Sequence, residues 1–252
     1  NKPTWIEKSV NSQADALILD LEDSVPPAQK VEAREIVRSK LEWLHSQRQR
    51  TWVRINRSPH LYDMDDILAV VGSYLEGVVI SKPCGPEDLD TISSMLSEAE
   101  YRKGLPIGVT QVIPLLETAR SLQFAYEIAL RDRVPAIVGA TAKNADVARA
   151  LSTVWSAEGR ETLFLKSRVV MAARAASKLP IGGVWQQIHD LDGLRASAER
   201  DRALGMSGEL LLHPSNDTVT PTEQSLDLFV HAGQPTDLHL FANTDHFILG
   251  EG

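Results

Sequence analysis

Residues 16–25 read ALILDLEDSV, an apolar run that ends with Asp20, Glu22 and Asp23 crowded together. Carboxylates this close repel one another unless cations or hydrogen bonds offset them, so the segment calls for opposing groups elsewhere in the chain. On an extended segment Asp20 and Glu22 share a face, while Asp23 points the other way or lies in the turn. TWVRIN (51–56) places Trp52, Arg54 and Asn56 on one face, which offers a guanidinium and an amide together. Lys82 ends a third apolar run, GVVISKP. Arg54 suits a bidentate grip on a carboxylate better than a lysine would, and Asn56 is taken with it as a substrate-binding residue. Glu22, Asp23 and Lys82 are suited to relaying protons beside it.

Two further acids stand at the ends of later apolar runs. Glu117 closes VIPLLE and Asp146 opens DVARAL, each just before a stretch of helical period. Carboxylates on neighbouring strands, about 4.8 Å apart, can share one cation. Oxygen-only ligands with no His or Cys nearby favour a hard ion such as Mg2+. Glu117 and Asp146 are therefore the expected metal pair. Plainer roles stay open: Glu117 and Asp146 could serve their helices as N-terminal acids, Lys82 could be a solvated charge, and Lys30 reads as a structural cation early in a helix.

What must position these residues is visible in the spacing of apolar runs. Seven short β-branched runs, at 16–23, 51–56, 77–83, 107–117, 135–141, 180–188 and 208–214, alternate with longer stretches of helical period. That alternation predicts βαβ units and a parallel sheet covered on both faces. Seven strands are one short of an α/β (β/α)8 TIM barrel, and the missing first strand is most economically placed before Asn1. A doubly wound open sheet is the rival, but no G-x-G-x-x-G follows the first run. In such a barrel, ligands meet the carboxyl ends of the strands, where the polar residues above fall. The division expected is a barrel domain over residues 1–214 and a C-terminal appendage or partial lid over 215–252.

Composition narrows the class of partner. The chain has 252 residues, 43% apolar and 24% charged, with a formal charge of -8 and no run of Lys or Arg, which argues against nucleic acid and anionic membrane surfaces. No apolar stretch approaches the roughly 18 residues of a spanning helix. Cys84 is the one cysteine, so no intrachain disulfide forms and a reducing, cytoplasmic compartment is expected.

Taken together, LILDLEDSVPPAQKVEAR, VRIN, VISKP, IPLLETA, DVARAL, DLDGLRASAERDRALGMSG and LLHPS resemble the citrate lyase β-subunit-like branch of the HpcH/HpaI aldolases, nearly the whole way to Pro214. The resemblance implies a TIM barrel assembled into homotrimers or hexamers, with a divalent metal, usually Mg2+. It implies reversible carbon–carbon cleavage of a 3-hydroxyacyl-CoA thioester such as citramalyl-, malyl- or citryl-CoA, giving acetyl-CoA and an oxo acid. By that resemblance Glu117 of the ETA motif is one metal ligand, an Asp after the next strand is the other, and Arg54 of R-x-N binds the substrate carboxylate. The family's Gly-x-x-Asp would put the second ligand at position 142, which is Ala; matching DVARAL instead assigns it to Asp146. The family's lid, which can lend an acid to a neighbouring subunit, has Asp245 as its candidate here. Two other readings share these residues: a class II aldolase on free 2-oxo acids, and a catalytically silent subunit that binds acyl thioesters or partner proteins.

Overall fold

The computed structural model describes residues 2–12, 14–58, 60–142, 145–187, 190–212 and 240–242. Its strands are β1 (Ala16–Asp20), β2 (Arg50–Arg54), β3 (Gly77–Ile80), β4 (Gln111–Pro114), β5 (Ala136–Val138), β6 (Leu179–Gly183), β7 (Gly208–Leu212) and β8 (Leu240–Ala242). The helices are α1 (Pro3–Ser9), α2 (Lys30–Ser46), α3 (Met64–Val70), α4 (Pro86–Arg102), α5 (Ala119–Gln123), α6 (Ala125–Ala129), α7 (Asp146–Leu151), α8 (Leu163–Ala175) and α9 (Leu191–Leu204). All strand pairings are parallel, in the order β4-β3-β2-β1-β8-β7-β6-β5. The two ends of that order meet. Leu115 bridges Val138 in parallel, and the Leu116 N–H donates to the Val138 carbonyl at 2.8 Å, which closes the sheet into a barrel.

The eighth strand is not where the sequence placed it. Leu240–Ala242 lies between β1 and β7 and pairs in parallel with both, so the gap expected to be filled from before Asn1 is filled from the expected appendage. A run of three strand residues is too short to stand out by period, which is why it escaped notice. The remainder of 213–252, with His213 and Asp245, lies outside the described residues.

Alternation along each strand sorts the core into two layers. Ala16, Ile18, Trp52, Val79, Ile113, Val138, Ile181 and Leu210 face one another inside the barrel. Leu17, Leu19, Val53, Val78, Ile80 and Val112 face outward and pack on the helices through Val37, Leu41, Ile92 and Leu96. The period of two sends every second residue inward, so Asp20 follows Ile18 and Arg54 follows Trp52 towards the barrel axis. Trp52 fills the interior beside Gly77, where a Cβ would collide with the Trp52 ring and the Gln111 carbonyl. On the outer layer, Glu100 and Arg133 form a buried pair at 2.8 Å, and Glu100 also accepts the N–H groups of Gly108 and Thr110 ahead of β4. Arg133 spends its remaining donors on Ser93, Ser97 and the Thr110 carbonyl.

Candidate active site

Asp20 and Arg54 are register partners across β1 and β2. The Arg54 Nε and Nη2 donate to the two oxygens of Asp20 at 2.6 Å each, a bidentate pair whose members are both buried. The N–H groups of Glu22 and Ser24 donate to the same carboxylate at 2.9 and 3.0 Å. Burial pushes the Asp20 carboxyl up, but the Arg54 charge and these hydrogen bonds outweigh it and bring it down to about 2. Burial likewise disfavours the Arg54 cation, and the Asp20 and Glu22 charges overcome that and raise it.

The sign of the linkage follows from the depressed acid. Asp20 stabilises the fold fully above its ordinary value of 3.8, and that contribution is lost as pH falls towards 2. Its size is about 2 kcal/mol. Urea unfolding followed between pH 5 and pH 2 is therefore expected to lose less stability in Asp20→Asn than in the parent chain, although the variant starts lower.

The acid turn that follows β1 faces β3. Glu22 Oε1 accepts from Ser81 Oγ at 2.5 Å and from Lys82 Nζ at 3.2 Å, while Glu22 Oε2 lies 3.2 Å from Arg54 Nη1. Asp23 Oδ2 takes Lys82 Nζ at 3.1 Å and lies 4.0 Å from Arg54 Nη1. Lys82 also stands 3.5 Å from Asp146, so one ammonium gathers three of the predicted acids. It does so from a left-handed backbone, φ 51°, which is costly for a residue with a Cβ and is held by these contacts. The Glu22, Asp23 and Asp146 charges raise the Lys82 ammonium well above its ordinary range despite burial.

Asn56 is brought near this cluster but is turned away from it. The strand ends at Arg54, so alternation no longer governs Asn56. Its Nδ2 donates to the Leu21 carbonyl at 2.8 Å and to Asp66 at 2.7 Å, and its Oδ1 accepts from Lys30 at 2.7 Å. Asn56, expected as a substrate-binding amide, is thus a strut in this structure, with both ends of its amide on protein groups. Lys30 completes the strut: its other protons go to the Leu21 and Glu22 carbonyls at 2.7 and 2.5 Å. Asp66, in turn, is held by Arg34 at 2.8 Å. Lys30→Met is expected to speed amide exchange at residues 21–24 and to lower turnover by about tenfold, since it removes hydrogen bonds worth about 1 to 3 kcal/mol.

Glu117 follows β4 at the same rim. Its Oε2 is buried with no hydrogen-bond partner among the described residues. Burial pushes its carboxyl up to about 7, against the lowering effect of Arg54 and Lys82, and the Asp146 and Glu22 charges add to the rise. An orphaned buried carboxylate oxygen beside other acids is what a dication would relieve, so Glu117 fits a metal ligand. Asp146, the first residue of α7, keeps Oδ1 on Arg149 at 2.6 Å and turns Oδ2 towards Lys82. Among the described residues no three His, Cys, Asp or Glu side chains converge closely enough to enclose an ion.

The HpcH/HpaI aldolase/citrate lyase family model matches residues 1–214. The chain belongs to this family. It is 28% identical over 233 residues to a (3S)-malyl-CoA thioesterase of Cereibacter sphaeroides, covering 90% of this chain and 77% of the relative. It is 27% identical over 233 residues to the citrate lyase subunit beta of Leuconostoc mesenteroides subsp. cremoris, covering 90% and 76%. Among solved structures, the citrate lyase beta subunit of M. tuberculosis complexed with oxaloacetate and magnesium is 25% identical with a TM-score of 0.69, covering 92% of each chain. A Haloferax volcanii malate synthase, at 15% identity and TM-score 0.75 over 99% of this chain and 67% of that one, shares the fold.

In this HpcH/HpaI family member, then, the rim brings together Glu22, Asp23, Arg54, Lys82, Glu117 and Asp146, and leaves out Asn56. Three residues that sequence reasoning did not assign to the site hold it in place. Asp20 is the bidentate seat of Arg54, Ser81 clamps Glu22, and Asp66 anchors Asn56. Asp20 was legible from the alternation that puts it beside Arg54; nothing in the sequence points to Ser81 or Asp66. Of the basic positions on α8, Arg168 donates to the Leu122 and Gln123 carbonyls and Arg174 to that of Gly205, so both fasten neighbouring elements. No helix among the described residues is long and apolar enough to cross a membrane.

Proposed function

We propose that this family member is a Mg2+-dependent carbon–carbon lyase of 3-hydroxyacyl-CoA thioesters such as citramalyl-, malyl- or citryl-CoA, working in either direction between the thioester and acetyl-CoA plus an oxo acid. The observation that supports this best is the pairing of a seated guanidinium with an orphaned acid: Arg54 locked on Asp20, and Glu117 Oε2 buried without a partner at the same rim. Glu117 and Asp146 would hold the ion. When bound there, Mg2+ supplies Lewis acidity towards a hydroxyl and a neighbouring carboxylate.

The chain's own residues account for the other requirements. Asp20 occupies the Nε and one Nη2 proton of Arg54 and Glu22 Oε2 lies 3.2 Å from Nη1, which leaves the second Nη1 and Nη2 protons, side by side, to receive a substrate carboxylate end-on. That contact fixes the oxo-acid half while the bond between the hydroxyl-bearing carbon and the thioester α-carbon breaks. The hydroxyl proton must leave as its carbon becomes a carbonyl, and Glu22 and Asp23, both bridged to Lys82, form the acceptor and relay for it. The electron pair of the broken bond passes to the thioester as an enolate, and a proton at the α-carbon then completes acetyl-CoA. Self-association as a trimer or hexamer belongs to the same reading and is read by light scattering.

The test is to supply each thioester with Mg2+ and follow acetyl-CoA release, with EDTA as the control. Release that stops on chelation supports the reading. Cleavage of free oxo-acid aldols without thioester turnover would replace it by the class II aldolase, and a chain that neither binds Mg2+ nor turns over any of these would be the silent subunit.

A further inference from the structure

A cavity of about 360 Å3 lies between the carboxyl ends of β5 and β6 and the helices α8 and α9. None of Glu22, Arg54, Lys82, Glu117 or Asp146 lines it. Its size falls within the range of small-molecule sites, and its place at strand ends is where barrels bind ligands.

Three features of the wall point to one class of ligand. First, Thr141 lines the cavity, is 8% exposed and donates its N–H to the Gly183 carbonyl at 2.7 Å, yet its buried Oγ1 has no hydrogen-bond partner among the described residues. A buried hydroxyl left so is destabilising unless something fills the space beside it. Second, Trp155 and Trp185 both line the cavity, with ring centroids 5.9 Å apart and planes tilted by 58°. They offer an indole wall to a flat ring. Third, the lining carries Arg160, Lys166 and Arg200 against only Glu158 and Asp201. Both oxygens of Asp201 are taken by Lys166 at 2.7 Å, which leaves Glu158 against Arg160 and Arg200 among the charges of the lining. Arg200 gives a proton to the Ala157 carbonyl at 2.8 Å, and Arg160 has no ion pair or hydrogen bond to the protein among the described residues. The surface is rich in donors and carries an excess of positive charge.

We propose that this cavity binds a planar aromatic anion, with its ring against Trp155 and Trp185, an acceptor atom at Thr141 Oγ1 and its charge at Arg160 and Arg200. Such chemistry has two sources, the nucleotide end of a thioester substrate or a separate aromatic acid. The first of these rests on the proposed function; the site itself does not.

The probes are adenosine 5′-monophosphate and benzoate, each titrated into the full chain and followed by tryptophan emission, with Trp155→Phe and Trp185→Phe assigning the signal. Saturable binding of at least one probe is expected, weakened about tenfold or more by Arg160→Gln and about fivefold by Thr141→Val. Thr141→Val should melt no lower than the parent, because it removes a polar group without a partner. Glu117→Gln should leave probe binding unchanged. Nucleotide binding that competes with thioester turnover assigns the site to the substrate, and benzoate binding without competition assigns it to a separate acid. The proposal is overturned if neither probe saturates, if Arg160→Gln and Thr141→Val bind as the parent does, or if Glu117→Gln abolishes binding. Binding is read directly, so a chain that turns over no thioester leaves this test intact.

Discussion

Arg54→Met is expected to abolish measurable lyase activity and to destabilise the fold by about 3 to 5 kcal/mol. Both losses have the same origin. Asp20 lies at 0% exposure with two hydrogen bonds from Arg54 at 2.6 Å, so truncating the guanidinium leaves an uncompensated buried carboxylate. Adding Asp20→Asn to Arg54→Met removes that charge while keeping an acceptor for one of the Glu22 and Ser24 N–H groups, which Asp20 serves with different oxygens. Chemical denaturation of the double variant should recover a large part of the lost stability, whereas its activity should stay at background. Recovery of both together would mean that Arg54 acts only through the fold and that substrate never touches it.

Glu117→Gln should do the opposite to stability and the same to activity. Above pH 7 the parent keeps a charge where burial alone would protonate it, so an amide of the same shape is expected to stabilise the ion-free protein by roughly 1 to 3 kcal/mol. The sign follows from the raised value of about 7: the folded state binds the proton more tightly than the unfolded chain, so stability falls as pH rises through the interval above 4.5. In calorimetry the variant should show no Mg2+ isotherm, and thioester cleavage should drop by about a thousandfold or more, the scale of losing one ligand of a Lewis acid. A higher melting temperature joined to lost function is the mark of a residue kept at the expense of the fold. A variant that melts lower and still binds Mg2+ would remove Glu117 from the ligand pair.

Much of this was legible in the residues because burial writes itself as period. Each of the seven apolar runs overlaps a strand, from Ala16–Asp20 to Gly208–Leu212, though most strands end earlier than the apolar character does, because the chain turns where the functional polar residues begin. That early turn explains Asn56, whose expected face was extrapolated past the last strand residue. The long helices Lys30–Ser46 and Pro86–Arg102 carry clear apolar stripes, whereas Met64–Val70 is short and is announced mainly by the Asp63 cap. Arg54, Glu22 and Lys82 were reachable from the charge they must balance. The Lys30, Asn56 and Asp66 strut was not, since it joins the first turns of two helices to the segment after a strand, and no local pattern encodes such a meeting.

The placing of Leu240–Ala242 between the first and seventh strands has a bearing on biosynthesis. A nascent polypeptide still lacking those three residues would carry two open sheet edges, along β1 and β7, each ready to recruit a strand from another molecule. Closure of this cylinder therefore waits until those residues have been made, and products that stop short of them should be the ones that chaperones capture.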